Sequence, residues 1–150
     1  MLTFNRCNGE DAAFRALVAE LDEDLVARYG AQMEFFGPHN KSAHIKHAIV
    51  VYQDGEPAGC GCFQPFSETA VEMKRIFVPL RFRGHGIARQ LMAQLECWAA
   101  ELNYAATVLE TGILQPEAIR LYEAAGYQRI PNYEPYIGVK ESICYQKALH

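Results

Sequence analysis

Between residues 70 and 102 the chain passes from a short strand-like run, through Pro79 and an Arg/Gly turn, into a stretch with a broad apolar stripe. From 86 to 102 the positions Ile87, Leu91, Leu95, Trp98 and Leu102 recur every three or four residues, joined by Ala88, Met92 and Ala99. That spacing predicts an amphipathic helix with one buried face. The preceding run, 70–78, alternates as a strand does and is stopped by Pro79. Strict alternation places Val71, Met73 and Arg75 on one side and Glu72, Lys74 and Ile76 on the other. Glu72 beside Ile76 is not a plain solvent face, and a ligand cleft along it is one explanation.

The remaining elements follow from the same periods. Residues 1–6 read as an opening strand, and 12–29 carry apolar residues at helical spacing up to Gly30. Residues 31–46 have no clear period and form a long loop, a place where function concentrates. Strands at 48–53 and 57–64 flank the tight-turn pair Asp54-Gly55. A strand at 105–109, a helix at 116–125 capped by Gly126, a loop rich in Pro and Tyr, and a closing strand at 142–147 complete the chain. A meander followed by strand, helix, strand and helix predicts a mixed α/β (α+β) domain.

Composition narrows the function classes. The chain has 150 residues, half of them hydrophobic, enough for one core and one domain. A formal net charge of −4 with dispersed basic residues argues against a nucleic-acid footprint. No long apolar run and no basic-then-apolar N-terminus is present, so no membrane partner and a cytoplasmic location are expected. The five cysteines are expected to be reduced, small, buried or half-buried thiols, with Cys60 and Cys62 on one strand face. His39, His44 and His47 show no ligand spacing, and no metal is expected. A hydrolase is disfavoured, because neither a G-x-S-x-G elbow nor a convincing Cys/His pair occurs.

The turn reads Arg81-Phe82-Arg83-Gly84-His85-Gly86. Two glycines at i and i+2 let the backbone curl around a ligand, and the helix start that follows exposes free N–H groups. Such a nest suits phosphate oxygens. The ATPase loop and the dinucleotide fingerprint both fail to match.

RFRGHG at 81–86 resembles the Arg/Gln-x-x-Gly-x-Gly/Ala signature of the GNAT N-acetyltransferase superfamily. EMKRIFVP at 72–79 is similar to that family's central strand, and LETGILQPEAIRLYEAAGY at 109–127 to its later strand and helix. The resemblance implies a central sheet of six to seven strands flanked by about four helices, with acetyl-CoA as co-substrate. It implies that the central strand and the strand at 105–109 splay, and that the pantetheine arm pairs with the backbone of Ile76, Phe77 and Val78. Arg81, Arg83, Gly84, His85, Gly86, Ile87 and Ala88 would line the pyrophosphate site. The N–H of Val78 would support the thioester carbonyl, Tyr122 would protonate the departing thiolate, and Glu72 would act either as base or as a structural or substrate-binding group. By the same resemblance the acceptor, a small-molecule amine or amino acid, would meet Tyr29, Phe35, Phe36, His39, Tyr133 and Tyr136. Homodimers are common among proteins of this kind. The alternative is a non-catalytic acetyl-CoA-binding member of the same fold.

Overall fold

A computed structural model describes residues 1–30 and 44–149. The elements are β1 (Leu2–Cys7), α1 (Ala12–Tyr29), β2 (His47–Gln53), β3 (Glu56–Pro65), β4 (Ala70–Phe77), a 3-10 turn (Leu80–Phe82), α2 (Ile87–Glu101), β5 (Ala106–Gly112), α3 (Pro116–Ala124), β6 (Gln128–Ile130) and β7 (Ser142–Ala148). The strands form one seven-stranded sheet in the order β1-β2-β3-β4-β5-β7-β6. Pairing is parallel between β4 and β5 and antiparallel for β1/β2, β2/β3, β5/β7 and β6/β7. The mixed α/β architecture expected from the sequence is the one adopted. No described helix is long and apolar enough to cross a membrane. By contact density the chain groups into two compact units, Met1–Gln64 with Lys74–Leu95, and Pro65–Met73 with Glu96–His150.

In the first unit, Asp11 caps α1 by accepting the N–H of Phe14 at 2.9 Å. The helical period then buries Phe14, Leu17, Val18 and Leu21 against Ala48, Val50, Cys60, Cys62 and Phe77. Each such large apolar side chain contributes roughly 1.5–3 kcal/mol. The run Gly59-Cys60-Gly61-Cys62 shows why the period of two matters. Its thiols join the α1 cluster, whereas its glycines lie under α2: a Cβ on Gly61 would come within 2.7 Å of Ile76 and 2.9 Å of Leu95. The small residue is what lets α2 pack closely on β3. All five cysteines are free thiols; Cys60, Cys62 and Cys144 are buried, Cys7 is half-buried, and Cys97 is exposed, unlike the expectation for it.

In the second unit, β7 lies between β5 and β6. The Tyr127 hydroxyl donates to Glu96 Oε2 at 2.9 Å and shares a 2.8 Å hydrogen bond with buried Thr107. Lys147 Nζ meets the other Glu96 oxygen at 2.9 Å and lies 5.7 Å from the Tyr127 ring centre. The Tyr145 hydroxyl donates to Glu123 at 2.9 Å. Two expectations need correction here. The strand predicted at 105–109 runs to Gly112, because Glu110, Thr111 and Gly112 pair with Cys144, Ile143 and Ser142. β6 was missed altogether: three residues with one apolar side chain carry no readable period.

Burial raises the phenols of Tyr122, Tyr127 and Tyr136 above their ordinary value near 10, and neighbouring carboxylates raise them further. The folded chain therefore keeps protons that the unfolded chain releases above pH 10. Stability from these groups is fully present below pH 10, and each steepens its loss above that by about 1.4 kcal/mol per pH unit. Denaturant midpoints measured from pH 8 to 11 are expected to begin falling near pH 9, where unfolded thiols ionise while the raised thiols of Cys7, Cys60 and Cys144 keep their protons, and to fall more steeply above pH 10. A flat profile through the whole range would contradict this burial.

Candidate functional site

The first unit supplies the end of β4, the turn and the start of α2. Arg75 has a left-handed backbone (φ 62) in the middle of β4, so the strict alternation expected from 70 to 78 breaks there. The carbonyls at this kink are taken by thiols: Cys62 Sγ donates to Lys74 O at 3.2 Å and Cys60 Sγ to Arg75 O at 3.4 Å. The Arg75 guanidinium is buried and pairs with Asp22 at 3.2 Å. Beyond the kink, Phe77 and Val78 are buried and Ile76 half-buried.

Gly84 (φ 87) and Gly86 (φ 73) then take conformations that cost a side-chain-bearing residue about 1–2 kcal/mol each. The space around them is open: a Cβ on Gly84 would meet nothing within 4 Å, and one on Gly86 only the Gln90 amide at 3.9 Å. Gly84, His85 and Gly86 are exposed at the start of the 15-residue helix α2, whose first N–H groups have no carbonyl one turn earlier to accept them. Ile87 is buried, so its backbone rather than its side chain is what it can offer, and Ala88 is half-buried.

The two arginines take different routes. Arg83 Nε donates to Val78 O at 2.7 Å, and its guanidinium lies 5.9 Å from the Phe77 ring centre, which ties the turn to the end of β4. Arg81 is exposed, lies over the Phe82 ring, and meets Glu20 at 3.4 Å and Glu56 at 3.6 Å. Surface pairs of that kind contribute little and give way readily to a stronger anion.

The second unit gathers carboxylates and phenols. Glu72 is buried, 7% exposed, and its Oε2 accepts the Tyr133 hydroxyl at 2.8 Å. The Tyr133 ring meets Phe66 edge-on at 4.7 Å and Tyr136 at 5.8 Å. The Asn132 amide donates to the carbonyls of Tyr136, Val139 and Ser142 at 3.0–3.2 Å, which pins this loop. Burial pushes the Tyr133 phenol up, and the Glu72 charge pushes it further. The Cys144 thiol rises to about 11 by burial, with Glu110 and Glu72 adding to the shift and a backbone hydrogen bond from Tyr133 opposing it.

Tyr122 is buried on α3, with ring centres 6.1 Å from Tyr127 and 6.2 Å from Tyr145. Burial, then the Glu110 charge, holds its phenol protonated well above neutral pH. The unit thus combines a buried carboxylate, able to take a proton, with a phenol that stays loaded to give one.

Of the acceptor residues named from sequence, Tyr133 and Tyr136 come together with Glu72, and Tyr29 is buried at the end of α1 in the first unit. Phe35, Phe36 and His39 lie outside the described residues. Sequence reasoning missed Glu110, Phe66, Asn132 and Cys144. Glu110 was hidden because the strand was ended one residue before it; the others carry no local signal. Among the described residues, no group of three or more His, Cys, Asp or Glu side chains is gathered for a metal.

Comparison with known proteins places these features in a family context. The model of the acetyltransferase (GNAT) family matches residues 14–127. The chain is 34% identical over 122 residues to an IAA acetyltransferase of Azospirillum brasilense, covering 80% of each protein. It is 38% identical over 69 residues to the N-acetylaspartate synthetase of Danio rerio, which covers 46% of this chain and 24% of that protein. Against an N-acetyltransferase family 8 member of Mus musculus it spans 36% of the relative's length. A solved structure from Klebsiella pneumoniae, of a protein provisionally assigned as an acyl-CoA N-acyltransferase, is similar with a TM-score of 0.85 and 31% identity, covering 100% of this chain and 99% of that one. A GNAT family acetyltransferase of Elizabethkingia anophelis with acetyl-CoA bound is similar in fold, with a TM-score of 0.72 at 18% identity over 99% of this chain and 98% of that one.

Proposed function

Because the chain belongs to the acetyltransferase (GNAT) family, we propose that it moves an acetyl group from acetyl-CoA to the amine of a small molecule or amino acid by direct attack. The observation that carries this reading is the turn at 81–86, where two left-handed glycines with open space around them lead into the N-terminus of α2. Free N–H groups and the positive end of a helix dipole suit a pyrophosphate. The backbone of Gly84, His85, Gly86, Ile87 and Ala88 holds the phosphates in this account, with Arg81 released from its exposed carboxylate pairs to join them. Acetyl-CoA supplies the activated thioester.

The chain's own groups do the rest. The backbone of Ile76, Phe77 and Val78 lines the pantetheine arm, and the Val78 N–H donates to the carbonyl oxygen as negative charge builds on it. Arg83 keeps that backbone in place through the Val78 carbonyl. Glu72 takes a proton from the acceptor ammonium, and Tyr122 gives one to the departing thiolate. The aromatic, lightly charged surroundings of Glu72 favour a small acceptor over a long basic peptide. The similarity to a relative named for making N-acetylaspartate supports an amino acid among the candidates.

Calorimetric titration with acetyl-CoA tests the phosphate assignment. Gly86→Ala is expected to bind about tenfold more weakly, because alanine lets the free turn relax out of the left-handed conformation, regaining it on binding costs about 1–2 kcal/mol, and each 1.4 kcal/mol is a factor of ten. Unchanged affinity in a folded Gly86→Ala protein would remove the turn from the binding site.

A further inference from the structure

The Tyr133 hydroxyl points at a protein carboxylate. It donates to Glu72 Oε2 at 2.8 Å, and three features fix it in that pose. Phe66 and Tyr136 meet its ring from two directions, at 4.7 and 5.8 Å. Asn132, the residue before it, ties the loop down through three backbone carbonyls. A further donor, the Tyr133 backbone N–H, is turned to Cys144 on β7. The whole residue is therefore committed to the protein around Glu72. A carboxylate can rotate about its last side-chain bond, and one oxygen fixed by a rigid donor sets the plane in which the other presents its lone pairs. Proton transfer is steep in such geometry.

We propose that Tyr133 is a positioning residue for Glu72, holding the carboxylate in the orientation in which it takes the acceptor's proton, and is not a wall of the acceptor pocket. This rests on the reading of Glu72 as the base. Because the donor is a buried phenol, it stays protonated and keeps donating throughout the working range. Phenylalanine preserves the ring contacts and removes only the hydroxyl, so Tyr133→Phe isolates the hydrogen bond.

The test is a double-mutant cycle of Glu72→Gln and Tyr133→Phe in the full chain, read in steady-state kinetics, with a parallel cycle of Glu72→Ala and Tyr133→Phe read in denaturant unfolding, because glutamine can still accept the Tyr133 hydroxyl. Tyr133→Phe is expected to lower kcat about tenfold with the acceptor KM changed less than about twofold, well within the roughly hundredfold that small misplacements cost. In the double mutant kcat should equal that of Glu72→Gln alone, since a positioning group has nothing left to position. The unfolding cycle should show coupling of about tenfold in the equilibrium constant. A raised acceptor KM with unchanged kcat in Tyr133→Phe, or additive effects on kcat, overturns the inference and leaves the base reading standing. Coupling in unfolding together with a near-normal kcat in Glu72→Gln overturns the base reading itself, and the positioning role with it. No coupling in unfolding overturns the contact.

Discussion

Glu72→Gln is expected to lower kcat by about 10²- to 10³-fold, within the range that removing a general base costs. Amine acceptors reach the protein mainly as ammonium ions, and an ammonium has no lone pair with which to attack a thioester. Over the whole reaction the nitrogen gives up two protons. In the proposed reaction one goes to solvent by way of Glu72, and the other balances the proton that Tyr122 hands to the thiolate. Gln keeps the shape of Glu72, and its amide oxygen can still accept the 2.8 Å hydrogen bond from Tyr133, so the fold around it should survive. The loss should fall on kcat, with the acetyl-CoA KM little changed. A near-normal rate would remove Glu72 from the base role.

Tyr122→Phe is the second large effect, expected at about 10²-fold on kcat. The ring contacts with Tyr127 and Tyr145 are retained in the variant, so a folding defect should be small. Burial and the Glu110 charge keep the native phenol protonated, and it is therefore loaded for donation at any working pH. An aliphatic thiolate can leave without help, which is why the loss is expected to be smaller than that for the base. Because the proton moves only as the carbon–sulfur bond breaks, kcat and kcat/KM should fall together. Unchanged maximal rates across pH would eliminate the proton-donor role.

The parts of this account that the sequence made legible are the local ones. An apolar period ending at Gly30 delimits α1 at Ala12–Tyr29, where the structure has it. The stripe from Ile87 onward announces α2, and the spacing of Gly84 and Gly86 announces the turn before it, since only a few residue types accept positive φ. The departures lie where distant chain segments decide. Nothing in Glu-Met-Lys-Arg-Ile-Phe marks Arg75 for a left-handed conformation; the thiols of Cys60 and Cys62 donate to the carbonyls of Arg75 and Lys74, 15 and 12 residues further along the chain. Arg83 carried a legible charge but not a legible direction, and its Nε goes to a backbone carbonyl. Tyr133 was placed by type in an acceptor pocket, and only the fold brings its hydroxyl to a carboxylate 61 residues earlier.

The central claim is transfer, and the most direct measurement of it is the mass of the acceptor. The protein is incubated with acetyl-CoA labelled in the acetyl group and a panel of small amines and amino acids, and both free thiol and acceptor mass are followed. The account predicts at least one acceptor that gains one labelled acetyl group in step with thiol release, at a rate reduced about 10²-fold or more in Glu72→Gln and Tyr122→Phe. Tight binding of acetyl-CoA with no labelled acceptor and no amine-dependent thiol release across the panel would contradict it and leave a protein that binds the donor without using it.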